Sequence, residues 1–115
     1  MSDSPLNISV RSMKRVDLIT VNGRVDSVTA PELDATLKEL LGNGRYQFVL
    51  DLAQVNYMSS AGLRTMVSAL RECKKHSGAV RLSPPSERVA EVLDLSGLDE
   101  MFPAFADTLT AVGSF

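Results

Sequence analysis

Leu6, Ile8 and Val10 alternate with Asn7, Ser9 and Arg11, the period-2 pattern of a strand with one buried face. Ser12 to Arg15 reads as a turn, and Val16 to Val21 as a second strand stopped by Asn22-Gly23. So short a connection predicts an antiparallel hairpin. A helix is predicted over 29–42. Thr29 and Glu32 have capping-box spacing, Pro31 falls in the first turn where its missing N–H costs nothing, and Leu33, Leu37, Leu40 and Leu41 form one stripe. Gly42-Asn43-Gly44 ends it. Phe48 to Leu52 is almost continuously apolar, as in a central strand covered on both faces, and Asp51 marks the approach to its end. After a loop through Asn56-Tyr57, a helix over 60–77 starts at Ser59-Ser60. It turns Leu63, Met66, Val67, Leu70 and Cys73 inward and Arg64, Ser68, Arg71, Glu72 and Lys75 outward. Gly78 stops it, Ala79 to Leu82 gives a fourth strand, and a helix over 85–96 points Val89, Val92 and Leu93 inward. Thr108 to Phe115 reads as a short last helix. The order ββαβαβα(α) predicts an α/β fold with about four helices. Its mixed sheet has four or five strands, an antiparallel N-terminal hairpin followed by parallel strands.

No linker or shift of composition divides the 115 residues, so a single domain over 1–115 is expected. Hydrophobic residues at 44% and charged residues at 23% fit an ordinary globular chain, long enough to bury a core without staples. The formal charge of −2 argues against a nucleic-acid binder. One Cys and one His furnish neither an internal disulfide nor a zinc site. Apolar runs are too short to span a bilayer. Met1-Ser2-Asp3-Ser4-Pro5 lacks the basic and apolar regions of a signal peptide, so a reduced, cytoplasmic protein without cofactor is expected.

Several chemistries fail on spacing. Ser59-Ser60-Ala61-Gly62 sits on a strand-to-helix turn, but a nucleophile elbow needs Gly where Met58 stands. His76 lies sixteen residues from Ser60 along the same helix, roughly 24 Å away at 1.5 Å rise per residue. A serine hydrolase is excluded. Cys73 continues the apolar stripe and reads as a small buried hydrophobe, with His76 a cation near a helix C-terminus. Gly42-Asn43-Gly44-Arg45 ends a helix and lacks the residues of a phosphate loop. Lys38, Glu39 and the charges from Arg71 to Lys75 read as solvated helix faces. Asp17, Asp26 and Asp51 are candidates for an acidic site, with Asp26 and Asp51 expected to share one edge of the sheet, but no ligand spacing supports a metal.

The stretch from Asp51 to Leu63 leaves two readings open. In one, a serine simply caps the helix. In the other, two serines followed by Ala61-Gly62 leave a helix start without bulk, where a macromolecule can approach and a phosphate is electrostatically favoured.

Three segments resemble the STAS domain family, specifically its stand-alone anti-sigma factor antagonists: Gly23-Arg24-Val25-Asp26-Ser27-Val28-Thr29-Ala30-Pro31-Glu32-Leu33, then Asp51-Leu52 with Val55-Asn56-Tyr57-Met58-Ser59-Ser60-Ala61-Gly62-Leu63, then Ala90 to Leu98. The resemblance implies a phosphorylation loop, usually Asp-Ser-Ser/Thr-Gly-Leu. On this chain Ser60 takes the acceptor position, Ala61 the second hydroxyl position, and Ser59 replaces the Asp and becomes a rival acceptor. The resemblance further implies a binding protein rather than an enzyme. Its unphosphorylated form would bind an anti-sigma factor that is also a serine kinase and so free a sigma factor; phosphorylation would end binding and a serine phosphatase would restore it. Asp26, Ser27, Met58, Ser59, Ser60, Ala61, Gly62 and Arg64 are the expected partner surface. The alternatives are a constitutive STAS subunit of a larger assembly, such as a membrane transport complex, and a nucleotide-binding module.

Overall fold

The computed structural model describes residues 5–115; all but Pro5 of the segment read for a leader lies outside them. Strands β1 (Leu6–Ser12) and β2 (Asp17–Val25) form the expected hairpin, and helix α1 (Ala30–Gly42) follows. Strand β3 (Gln47–Met58), helix α2 (Ser60–Lys75) and strand β4 (Ala79–Leu82) come next, then helix α3 (Glu87–Ser96). A single 3-10 turn (Asp99–Met101) leads to helix α4 (Thr108–Gly113). The four strands lie in the order β1-β2-β3-β4, the first pair antiparallel and the others parallel.

The main core lies on one face of this sheet. Ile19, Val21, Phe48, Leu50 and Leu52 meet Leu33 and Leu37 of α1, Met66 and Leu70 of α2, and Val89 and Leu93 of α3. A smaller cluster on the other face joins Val16 and Val49 to Ala111 of α4. β3 is therefore covered on both faces over its first half, as its apolar run requires. At that end Asp17 is fully buried, but it is no functional acid. The Arg45 Nε donates to it at 2.7 Å while the rest of the guanidinium binds the Met13 and Lys14 carbonyls, and the Ser12 hydroxyl donates to its other oxygen.

Both central strands outrun their sequence limits. β2 does not stop at Asn22-Gly23, and Asn56-Tyr57 is strand rather than loop. The pairing slips twice, between Thr20 and Asn22 and between Gly23 and Arg24, so that β3 spends two more residues than β2 over the same length. Such bulges tighten the local twist and re-aim side chains. Gly23 stands at the second slip with φ +113°, and on its other side it lets the start of β1 approach, since a Cβ there would lie 2.1 Å from the Pro5 carbonyl oxygen. The outcome is that Arg24 sits opposite Tyr57, and Val25 opposite Met58, at a common carboxyl edge.

Candidate functional site

At that edge β2 and β3 each hand over to a helix. The Ser59 N–H donates to the Val25 carbonyl at 2.8 Å, which ties the start of α2 to the end of β2. The Ser59 side chain accepts from the Gly62 N–H at 3.3 Å from an extended backbone, an ordinary N-cap. Ser60 is the first helical residue and is exposed, and its hydroxyl has no hydrogen-bond partner among the described residues. The two serines thus divide: one holds the helix, the other faces solvent.

The neighbouring loop does not use the expected capping box. Thr29 makes no side-chain cap to α1; its hydroxyl donates to the Arg24 carbonyl at 2.7 Å and accepts from the Asp26 N–H at 2.9 Å. Asp26 instead closes the loop just before the helix, its Oδ1 accepting from the Val28 and Thr29 N–H groups at 2.9 and 3.0 Å while its backbone carbonyl accepts from the Ala30 N–H at 2.8 Å. Its Oδ2 accepts from Arg24 Nε at 2.9 Å. The Arg24 guanidinium and these N–H groups stabilise the carboxylate, so the Asp26 pKa falls to about 2. Asp51 does not share this edge with Asp26. It pairs with Thr20 midway along β3, and among the described residues no carboxylates gather as a metal group would need.

Of the expected surface residues, Ser27, Ser60 and Arg64 are exposed and Asp26, Ser59 and Ala61 half-buried. Ser27, Ala61 and Arg64 line a shallow cleft between α1 and α2. Met58 and Gly62 are corrections, since both are buried. A Cβ on Gly62 would lie 2.4 Å from Met58 Sδ and 2.7 Å from Val25 Cγ1. Gly62 therefore lets α2 settle onto the strand ends; it does not open the helix start to a partner.

That close seating also turns α2 about its axis. Gly62, Thr65, Met66, Ala69, Leu70 and Cys73 face the core, whereas Leu63 and Val67, expected inside, are only half-buried. With Leu98 they floor a groove of about 550 Å³ that begins at Ser60 and is edged by Arg64 and Arg71. Sequence reasoning also missed three exposed neighbours: Arg24, whose guanidinium lies 4.6 Å from the centre of the Tyr57 ring, Tyr57 itself, and Val28. Continuing the strand alternation past Gly23 would have found Arg24.

The thiol reading holds, and His76 lies at the end of α2 as expected. Cys73 is fully buried, and desolvation pushes its pKa up to about 12. His76 caps the C-terminus of α2 and stacks on Tyr46 with ring centres 3.9 Å apart. Gly42-Asn43-Gly44 caps α1, the Asn43 N–H bonding back to the Glu39 and Leu40 carbonyls. No helix among the described residues is long and apolar enough to cross a membrane.

Two helix starts thus lie side by side at the carboxyl ends of adjacent parallel strands. Residues 7–111 match the STAS domain. The chain belongs to the STAS domain family. BtrV of Bordetella bronchiseptica is 30% identical to this STAS chain over 107 residues, 90% of this chain and 92% of its own length. The anti-sigma-B factor antagonist of Staphylococcus epidermidis is 28% identical over 98 residues, 84% of this chain and 91% of its own. Among solved structures, the anti-sigma factor antagonist SpoIIAA in its unphosphorylated form superposes with a TM-score of 0.83 at 19% identity, covering 94% of this chain and 95% of its own. That likeness establishes the STAS fold, with its four-stranded mixed sheet and four helices.

Proposed function

We propose that this STAS protein is an anti-sigma factor antagonist: unphosphorylated, it binds an anti-sigma factor with serine-kinase activity and releases a sigma factor, and phosphorylation of Ser60 ends that binding. The observation that carries the reading is the division between the serines, with Ser59 committed to the cap and Ser60 exposed as the first residue of α2. Replacement of the family's usual Asp by Ser59 leaves the cap intact, since Asp and Ser are equivalent N-caps. A phosphate on Ser60 would meet the positive end of the helix dipole and leave the fold in place. In an interface, the same charge of about −1.5 to −2 adds repulsion and desolvation cost. Relatives named as anti-sigma factor antagonists support the reading, as does the Bacillus protein SpoIIAA, whose fold matches in its phosphorylated form as well, with a TM-score of 0.76.

Ser60, Ser27 and Arg64 would make direct partner contact, with Asp26, Ser59 and Ala61 shaping the surface and Met58 and Gly62 supporting it from below. The test is a binding assay against the kinase-type anti-sigma factor from the same cells, with and without ATP. Ser60→Ala should bind and resist modification, and Ser60→Asp should bind more weakly. If the kinase modifies neither serine, a constitutive subunit of a larger assembly replaces the switch.

A further inference from the structure

Charge is segregated between two neighbouring elements of this chain. From Ser60 to Lys75, Arg64, Arg71, Lys74 and Lys75 stand against Glu72 alone, a net charge of +3. From Glu87 to Met101, five carboxylates stand against Arg88 alone, a net charge of −4. The two are adjacent, because Leu98, just beyond α3, forms one wall of the α2 groove. Yet among the described residues no ion pair joins them; the one pair made by the α2 bases is Lys75 with Glu72, inside α2 itself. The apolar surfaces are equally unmatched. The groove has a floor of Leu63, Val67 and Leu98, and α3 holds out Leu95 at 79% exposure, with Glu91 and Asp94 one turn and one residue before it.

We propose that the α2 groove is filled by the α3 ridge of a second copy of this chain. Leu95 of one protomer rests on Leu63, Val67 and Leu98 of the other, and Glu91 and Asp94 face Arg64 and Arg71. A groove and its complement side by side on one molecule satisfy an isologous two-fold dimer, in which each contact is made twice. The pairing is self-limiting, since the second contact closes the ring rather than starting a filament. Because the groove begins at Ser60, the dimer stands over the flank of that residue. The inference rests on the charge and apolar pattern and does not require Ser60 to be phosphorylated.

Sedimentation equilibrium of the full-length protein tests it, over about 5 µM to 1 mM, the span suited to an interface at the small end of the protein–protein range. The average mass should rise from 12.4 kDa toward twice that value, and the association constant should fall at least tenfold between low and high salt as the charge pairs are screened. Leu95→Ser and Arg71→Glu, both at exposed positions, should each leave a monomer with an unchanged melting temperature. Reversing both sides together, Arg64→Glu and Arg71→Glu with Glu91→Arg and Asp94→Arg, should restore the dimer. A chain that stays at 12.4 kDa up to 1 mM overturns the proposal. So does a dimer indifferent to Leu95→Ser and Arg71→Glu, or a combined reversal that stays monomeric while folded.

Discussion

Gly62→Ala probes how α2 is seated at the site. In a solvent-facing helix the change would stabilise, because Ala is favoured over Gly by about 1 kcal/mol. Here the new methyl meets Met58 Sδ at 2.4 Å and Val25 Cγ1 at 2.7 Å. Methionine can swing aside at little cost, but Val25 is fully buried, stiff about χ1 and held in the core. Overpacking of this kind costs about 1–3 kcal/mol. Set against the helix gain, the net loss is about 0–2 kcal/mol. For a chain of 115 residues that lowers Tm by up to about 8 °C. Val25→Ala alone leaves a cavity and costs about 2 kcal/mol. In the double variant the methyl added at position 62 enters that cavity, so the combined loss should fall short of the sum by about 1 kcal/mol. Urea melts of the four proteins measure the cycle. A Gly62→Ala protein more stable than the parent, or losses additive to within about 0.3 kcal/mol, would refute the seating argument.

The serines should separate on stability as well. Ser59→Ala removes the Gly62 N–H acceptor and should cost about 0.5–2 kcal/mol, whereas Ser60→Ala should change stability by less than about 0.5 kcal/mol in the same melts. Leu70→Ala, at a position 2% exposed among the core side chains, should cost about 2–5 kcal/mol; a cost near zero would mean that α2 does not pack as described. Cys73 should resist a thiol reagent at about pH 8 in the native protein and react once urea unfolds it, since its pKa is pushed up to about 12. Asp26 titrates at about 2, below its unfolded value, so its stabilising contribution is full above about pH 4 and fades as pH falls through the folded value. A carboxyl-carbon NMR titration should show this midpoint, and Arg24→Gln should raise it.

What could be read from the sequence follows the regular periods. The hairpin pairing and the positions of α1, α2 and α3 were legible because alternation and stripes hold there, with the helix ends displaced by at most two residues. β3 was cut short at Leu52 because its two bulges carry the next buried residues, Val55 and Met58, at intervals of three rather than two. Leu63 and Val67 were misplaced for a related reason: hydrophobicity gives the width of the α2 stripe, but the small residues Gly62 and Ala69 decide which edge goes inward. Thr29 and Glu32 have capping-box spacing, yet the Thr29 hydroxyl is engaged by the Arg24 carbonyl and the Asp26 N–H, contacts that spacing alone does not reveal. At the site, the serines were visible as a pair. Their division of labour depends on the Val25 carbonyl, which anchors Ser59 and so leaves Ser60 outside.

Site-resolved mass spectrometry of the protein isolated from its own cells tests the central claim most directly. The account predicts a fraction of molecules heavier by one phosphate, with the phosphate on Ser60 and Ser59 unmodified. Phosphate on Ser59, or its absence from both serines while the kinase-type anti-sigma factor is active, would contradict it.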